Sequence, residues 1–416
     1  MPLLNRLLSL AVLGVSAVPS YEVVNLGGWL VLEPWITPSI FENTGNDDIV
    51  DEWTFGEYQD YDTALAVLQD HWNSWITEDD FEAIAAAGYG LINAHQIPSE
   101  TFYSLNHVRL PIGYWAFAVG SGEPYITGQL DYLKKAITWA SNRNLKLIID
   151  LHGAPGSQNG FDNSGHRMSY PTWQSNQTNV NRTNDIIKTI ISMVDSEYKT
   201  VPIIAPLNEP AGYDGDQMLA VVKQYWYDSY PYNSSTQSNT VELIHDAFQS
   251  LSYWDDFMVD GYDGVAMDTH IYQMFSDEEV AYNYSQHITE ACSYGSSLAD
   301  FDLWIFVGEW TPASTDCAKW LNGRGTGARY DGTYSGSTFV GNCTGKTGNA
   351  TSFSSDYKTF MRKYWEAQVI TYEKGDGWIQ WTWKAENADD WTYQAGLKYG
   401  WIPQDPTDLE YPDICD

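Results

Sequence analysis

Two glutamates, each at the end of a short apolar run, are the residues in this sequence best suited to do chemistry. Glu209 follows the run at 203–208 and precedes Pro210, and Glu309 follows the run at 303–308. Apolar runs of this length are typical of buried strands, and a proline directly after one stops further ladder pairing. Two strand-end carboxyl groups could act as proton donor and nucleophile in cleaving a glycosidic bond. A lone strand-end glutamate is more often an ordinary polar cap, so the prediction rests on the pair.

The fold must bring these carboxyl groups together, because a hundred positions separate them in the chain. Apolar, strand-like runs alternate with segments of helical periodicity along the whole sequence, an order that favours a parallel sheet. The predicted strands number eight, which fits an α/β fold of the (β/α)8 TIM-barrel type, a single domain with extended loops at its C-terminal face. The predicted strands are 23–29, 107–111, 145–151, 203–207, 257–260, 264–270, 304–308 and 377–381, and the main predicted helices are 130–142, 184–198, 217–227 and 355–373.

Polar and aromatic residues at the ends of these runs would converge at one end of such a barrel. Besides the two glutamates they are Glu33, Arg109, His152, Asn208, His270, Tyr272 and Trp381. Arg109 and Tyr272 are expected to donate hydrogen bonds to Glu309 and lower its pKa, while nearby negative charge should raise the pKa of Glu209. Taken singly, each of these residues could equally be a structural ion-pair partner or a core side chain.

The charge balance narrows the class of partner. Against 21 Lys and Arg stand 55 Asp and Glu, a net charge of −34. Nucleic acid and anionic membrane surfaces are both negatively charged and bind basic residues, so neither is expected as a partner. A neutral ligand is unaffected by this field, and 19 Trp and 29 Tyr supply flat faces suited to sugar rings.

The first twenty residues read as a secretory signal, with Arg6 before an apolar stretch at 7–18. We therefore expect a leader at 1–20, a catalytic domain at 21–416, no transmembrane helix, and an extracellular or cell-wall location. Four cysteines in a secreted chain favour two disulfides, with three pairings open. Six Asn-x-Ser/Thr sites could carry glycans: Asn176, Asn181, Asn233, Asn283, Asn342 and Asn349.

Several longer motifs resemble those of the fungal exo-β-1,3-glucanases of glycoside hydrolase family 5. They span nearly all of the expected mature chain and comprise NLGGW with Glu33-Pro34, RLPIGYW at 109–115, DLHGAPGSQNG at 150–160, LNEP at 207–210, HIY at 270–272, VGEW at 307–310 and WTWKAEN at 381–387. The Asn-Glu-Pro element is shared by many glycosidases, whereas the segments after His152 and from Trp381 are much more specific.

The resemblance implies a role for each matching position. Glu209 would be the acid/base and Glu309 the nucleophile of a retaining hydrolase. The subsite of the reacting sugar would be formed by Arg109, His152, Asn208, His270, Tyr272 and Trp381. The terminal glucose would be held by Glu33, Asp162, Asn163 and Asn322, and Phe161 and Phe275 would flank the entrance. The implied disulfides are Cys292–Cys415 and Cys317–Cys343. Where the family often has an arginine this chain has Thr326, with Arg324 two positions earlier.

The first reading is thus a secreted, monomeric exo-hydrolase that releases glucose from the non-reducing ends of β-1,3-glucan or its oligosaccharides. The alternatives are a β-1,6-glucanase or endo-acting β-glucanase on the same barrel, and a catalytically inactive glucan-binding wall protein. No metal and no organic cofactor are expected, because two carboxyl groups suffice for the reaction.

Overall fold

A closed barrel of parallel strands forms the centre of the molecule. The computed structural model of the chain describes residues 21–87, 105–234 and 240–416. Within these residues each strand pairs in parallel with the next, and the last pairs with the first, which closes the sheet. This confirms the predicted (β/α)8 barrel. The strands are β1 Tyr21–Asn25, β2 His107–Gly113, β3 Lys146–Gly153, β4 Ile203–Ala205, β5 Val241–His245, β6 Val265–His270, β7 Trp304–Glu309 and β8 Gly377–Gln380.

Helices connect most successive strands, as right-handed parallel crossovers require. Between β5 and β6 the described chain has only a 3-10 turn, Leu251–Trp254. The α-helices are α1 Pro38–Glu42, α2 Glu52–Glu57, α3 Tyr61–Ser74, α4 Glu78–Ala86, α5 Gln129–Asn142, α6 Gln177–Val194, α7 Asp216–Ser234, α8 Tyr284–Ser293, α9 Gly295–Ala299, α10 Ser355–Tyr372 and α11 Tyr393–Tyr399.

The strands are buried on both faces, which explains why their sequences are continuously apolar and do not alternate. A small cluster contributed by seven of the strands packs separately from the large cluster that includes the helices. Its buried members are Val23, Ile148, Ile203, Ala205, Leu243, Ala266, Phe306 and Ile379. The barrel therefore has a packed interior, and open space for a ligand must lie at one of its ends.

One predicted strand is wrong and one strand was missed. Residues 257–260 form turns, because Asp256 and Met258 have positive φ angles of 64° and 53°, which no strand accommodates. The fifth strand instead lies at Val241–His245. It contains the charged Glu242, whose buried carboxyl accepts a hydrogen bond from Ser229 at 2.5 Å.

Two disulfides tie the long connections to the barrel. They join Cys292 to Cys415 and Cys317 to Cys343, the pairing that the family resemblance implies. Within the described residues no helix is long and apolar enough to cross a membrane. The expected leader at 1–20 and the side chain of Asn233 lie outside the described part of the chain, and the other five glycosylation motifs have exposed asparagines.

Candidate active site

Glu209 and Glu309 both lie at the carboxyl-terminal end of the barrel. Glu309 is the last residue of β7, paired in register with His270 at the end of β6. Glu209 follows β4 by four positions and has a φ angle of 46°, a left-handed conformation that non-glycine residues rarely adopt. Pro210 prevents continuation of the strand, so this strained turn carries the carboxyl group of Glu209 over the barrel mouth. Both side chains are almost fully buried.

The imidazole of His270 joins the two glutamates. Its Nδ1 lies 2.7 Å from Oε1 of Glu209 and 3.6 Å from Oε2 of Glu309. These two carboxylate oxygens therefore cannot be further apart than the sum of those two distances. Such close placement favours a pair that acts with a covalent intermediate over a pair spaced to hold a water molecule between them. The expected separation of about 5–5.5 Å between the carboxyl groups stays a prediction.

Arg109 forms an ion pair with Glu309, the nucleophile candidate. Its Nη1 donates to Oε1 of Glu309 at 2.9 Å and to Oδ1 of Asn25 at 2.9 Å. Its Nη2 donates to Oδ1 of Asn208 at 2.7 Å and lies 3.2 Å from Oδ2 of Asp150. The guanidinium is fully buried, so its planar fork fixes the positions of all these groups at once.

The hydroxyl of Tyr272 completes the fixation of Glu309 by donating to its Oε2 at 2.9 Å. Both oxygens of Glu309 thus receive a hydrogen bond, one from an arginine and one from a tyrosine. This arrangement fixes the orientation of the carboxylate.

His152 and Trp381 form one side of the same chamber. Nδ1 of His152 lies 2.7 Å from Oδ2 of Asp150, and its ring is nearly parallel to that of Trp381 at 5.6 Å. Nε2 of His152 and Nδ2 of Asn208 are buried without a hydrogen-bond partner in the described part of the chain. Buried polar groups normally have partners, so these two nitrogens are positioned to meet hydroxyl groups of a ligand.

The charges of the site differ from expectation. Burial raises the pKa of Glu309, and the charge of Glu209 adds to this, so that Arg109 and His270 do not bring it below its ordinary value. Burial also raises the pKa of Glu209, but the hydrogen bond and charge of His270 outweigh burial and lower it. The sequence reasoning predicted the reverse because it did not place a cation against Glu209.

His270 is itself shifted by this cluster. Burial lowers its pKa, but Glu309, Asp268 and Glu209 together raise it well above its ordinary value. The carboxyl groups around His270 therefore favour its charged form.

Among the residues predicted to hold a terminal sugar, Asn163 contacts Glu209, and Glu33 and Asp162 are close enough for their charges to interact. Nδ2 of Asn163 is 3.4 Å from Oε2 of Glu209. Burial raises the pKa of Glu33 well above its ordinary value, and the charges of Asp162, Glu309 and Glu209 raise it further. Oε1 of Glu33 and Oδ2 of Asp162 are buried without a hydrogen-bond partner among the described residues. Burial also raises the pKa of Asp162 to about 7.

The two predicted entrance residues are exposed aromatics. Phe161 and Phe275 are each 42% exposed, and the ring of Phe275 meets that of Tyr272 edge-on at 5.4 Å. Phe161 immediately precedes the 3-10 turn Asp162–Ser164. Both rings are thus on loops that also carry residues of the site.

Asn322 and Arg324 are engaged elsewhere. The amide of Asn322 bonds Asp316, Arg329 and the carbonyl of Gly327, all within its own loop. Arg324 donates to the carbonyls of Asn46 and Ile49 at 3.0 and 2.6 Å. The structure therefore does not bring Asn322 into contact with the glutamates, and Arg324 fastens its loop to the segment before α2.

Four buried residues of the site were missed by sequence reasoning. Asn25 and Asp150 contact Arg109, and Asp268 lies beside His270. His245 ends β5 and meets His270 edge-on at 4.4 Å. Asn25 and His245 could have been found as polar residues at the end of a strand. Asp150 and Asp268 lie within their strands, two residues before His152 in β3 and His270 in β6.

Glu209, His245 and His270 also place three potential metal-ligand atoms within 4.8 Å of one another, the one such group among the described residues. Each already has a protein partner, since His270 bonds Glu209 and Nδ1 of His245 accepts from the amide of Ala247. Nε2 of each histidine is buried without a hydrogen-bond partner among the described residues.

Sequence comparison places close relatives over nearly the whole chain. It is 44% identical over 398 residues to a glucan 1,3-beta-glucosidase of Blumeria graminis, covering 94% of this chain and 88% of the relative. It is 45% identical to a probable glucan 1,3-beta-glucosidase A of Aspergillus niger, covering 94% and 89%. A glucan 1,3-beta-glucosidase of Candida oleophila is 42% identical, with coverage of 94% and 90%. Residues 102–245 match the family described as Cellulase (glycosyl hydrolase family 5).

Structure comparison agrees on the fold. The crystal structure of a rutinosidase from Aspergillus niger superposes with a TM-score of 0.69 at 19% identity, covering 92% of this chain and 98% of that one. A hyperthermophilic endo-beta-1,4-glucanase superposes with a TM-score of 0.52 at 12% identity, covering 95% and 97%. At such identities the likeness concerns the barrel alone.

Proposed function

The chain belongs to glycoside hydrolase family 5, and from that premise we propose that it is a retaining exo-1,3-β-glucosidase that releases glucose from the non-reducing ends of β-1,3-glucan. The observation that carries the proposal is the shared contact of Glu209 and Glu309 with one imidazole, beside the Arg109 fork. The names of the relatives supply the linkage.

In the first step Glu309 attacks the anomeric carbon and forms a glycosyl ester, while the bond from that carbon to the leaving oxygen breaks. The leaving oxygen takes a proton from Glu209, which receives it from His270 across their 2.7 Å contact, so that Glu209 is left as a carboxylate and His270 as a neutral ring. In the second step Glu209 accepts a proton from water as the water attacks the same carbon and releases Glu309. Protons and bonds balance over the cycle, and glucose is the product.

The wall formed by Glu33, Asp162 and Asn163 supports cleavage from a chain end. Buried carboxyl oxygens without partners are costly, and hydroxyl groups of a terminal sugar would satisfy them. A cleft open at both ends would have no use for buried acceptors at this place. Asn322 bonds within its own loop and is not counted in this wall.

We also propose that the protein acts outside the cell as a monomer after loss of a leader at 1–20. The two disulfides and the exposed asparagines of the glycosylation motifs support an oxidising, secretory route. β-1,3-glucan or its oligosaccharides would then be the partners, with no nucleic acid or membrane surface involved.

The test is product analysis on linear β-1,3-glucan oligosaccharides labelled at the reducing end, with β-1,6- and β-1,4-linked chains as controls. The proposal requires glucose as the sole early product and a label that stays on chains shortened by one unit at a time. Early mixed oligosaccharides would identify an endo-acting enzyme. Binding of glucan without any cleavage would instead identify a wall protein that has lost catalysis.

A further inference from the structure

Asp268 is a buried acid that the reaction above does not use directly. It lies in β6, two residues before His270, and is 1% exposed. Its Oδ2 is 3.4 Å from Nε2 of His270, and Nδ1 on the other side of that ring is 2.7 Å from Oε1 of Glu209. Carboxyl, imidazole and carboxyl therefore form one line from the barrel interior to the acid/base.

Gly308 makes room for this acid beneath the nucleophile. A β-carbon added at Gly308 would lie only 1.8 Å from Oδ1 of Asp268. Any larger residue there would therefore force the carboxyl group of Asp268 to move. The glycine of the Val-Gly-Glu-Trp motif is thus needed next to Glu309 because the side chain of Asp268 occupies the space. Oδ1 itself is buried without a hydrogen-bond partner in the described residues.

From this geometry we infer that Asp268 is a positioning residue for acid catalysis: it fixes the orientation of His270 and holds the proton on its ring, so that the imidazole can resupply Glu209. Nε2 of His270 has no hydrogen bond among the described residues, and Oδ2 of Asp268 lies 3.4 Å away, an ion-pair contact. With a carboxyl group facing each ring nitrogen, the charged imidazole, which carries both N–H groups, is favoured over a neutral ring with only one. A carboxylate on the far side of an imidazole orients it and stabilises its charged form.

Other charged groups around His270 do not replace Asp268. The imidazole lies against the carboxyl groups of Glu209, Asp268 and Glu309, and the ring of His245 meets it edge-on. The charges of Asp150 in β3 and of Asp246, just after β5, also interact with it. Glu209 and Glu309 both change charge or form a covalent bond during the cycle. Among the described residues, Asp268 is the one acid in contact with the ring that takes no part in these steps, so it can stabilise the charged ring throughout.

The inference rests on the proposed function, and its test uses Asp268→Asn, which keeps the shape and removes the charge. The matched control is Glu22→Gln, a buried acid in β1 at the opposite end of the barrel. The activity readout is kcat/KM on unactivated β-1,3-oligosaccharides against pH, because aryl glucosides would not need the proton. Near-ultraviolet circular dichroism checks that each variant is folded.

Asp268→Asn should move the basic limb of the profile to lower pH by about one unit, the effect expected of an opposite charge within contact distance. Glu22→Gln should leave that limb in place. In a His270→Asn background the change at Asp268 should produce no further shift. A fall in activity or melting temperature with both limbs unmoved would show a merely structural role and overturn the inference.

Nitrogen-15 NMR of the histidine rings in the wild-type protein gives a readout that depends on neither activity nor the folding of a variant. The His270 signals, identified by their loss in His270→Asn, should show both nitrogens protonated at neutral pH. A neutral His270 ring at that pH overturns the inference even if the enzyme is active. Conversely, an inactive wild type with a charged His270 would overturn the proposed function, while the stabilisation of the charged His270 ring by Asp268 would still hold.

Discussion

Arg109 and Glu309 are 200 positions apart in the chain, yet Nη1 of Arg109 donates to Oε1 of Glu309 at 2.9 Å. The contact spans the barrel mouth from β2 to β7, strands that are not neighbours in the sheet. The same guanidinium also reaches Asn208, the residue before the acid/base candidate. The Arg109 side chain therefore fixes the position of Glu309 relative to the segment that carries Glu209.

Arg109→Lys should lower kcat by about 100-fold or more, because a lysine ammonium is a point charge that cannot reproduce the four-way fork. Kinetics on β-1,3-oligosaccharides provide the measurement. Arg362→Lys, which alters an ion pair with Glu366 far from the glutamates, is the control and should change kcat little. Retention of most activity in Arg109→Lys would mean that charge alone matters here.

Glu309→Gln should abolish hydrolysis and leave glucan binding nearly intact, because the amide keeps the size of the side chain but cannot form the ester. Calorimetric binding of a short oligosaccharide measures the second part. Glu386→Gln, at an exposed acid that bonds Ser39, should keep full activity. NMR of the wild-type product should show retention of anomeric configuration, and an inverted product would remove Glu309 from its proposed role.

The sequence predicted the barrel and most of the site because strand ends are marked by abrupt changes of residue type. Glu209 and Glu309 could be placed near each other from residue types and order alone, since strand ends of a closed parallel barrel meet at one face. The sequence could not show β5, because a buried glutamate paired with a distant serine, Ser229, looks like a polar break. The apolar residues at 257–260 predict a strand there, because residue types do not reveal the positive φ angles of Asp256 and Met258.

The directions of the pKa shifts of Glu209 and Glu309 could not be predicted from the sequence. The contacts of Arg109 and Tyr272 with Glu309 lie where they were expected, but the direction of its pKa shift depends on burial, which residue types do not reveal. The placement of His270 against Glu209 also depends on the register between β6 and β7, which shifts between Thr269 and His270. The family resemblance likewise implies a sugar contact for Asn322, yet its hydrogen-bond partners named above all lie inside one loop.

The thermal stability of the protein should rise as pH falls from about 8.5 to 6.5. Burial raises the folded-state pKa of five acids: Glu22 and Asp390 to about 8, and Glu52, Asp162 and Asp246 to about 7. An acid whose folded pKa exceeds its unfolded one stabilises the protonated protein, and this stability is lost as pH rises through the folded value.

Histidines act in the opposite direction below that range. Burial lowers the pKa of His71 and His287 to about 4 and that of His107 to about 3, so their stability is lost as pH falls below about 6.5. The melting temperature should therefore climb from pH 8.5 to 6.5 and climb more slowly below that, because three histidines offset only part of the effect of the five acids. Glu22→Gln should flatten the climb. A melting temperature that is highest at pH 8.5 would contradict this account of the buried acids.

Glu33→Gln should weaken recognition of the chain end more than it weakens chemistry. Oε2 of Glu33 accepts from Nε1 of Trp35 at 3.0 Å, which fixes the side chain, while Oε1 is left buried without a partner among the described residues. A hydroxyl of the terminal sugar is the natural donor to that oxygen. Loss of one such bond costs about 1–3 kcal/mol, which corresponds to roughly a 5- to 150-fold fall in kcat/KM. We expect KM to rise and kcat at saturation to change less, with Glu386→Gln as the exposed control. If kcat fell with KM unchanged, Glu33 would instead be acting on the glutamates through its charge.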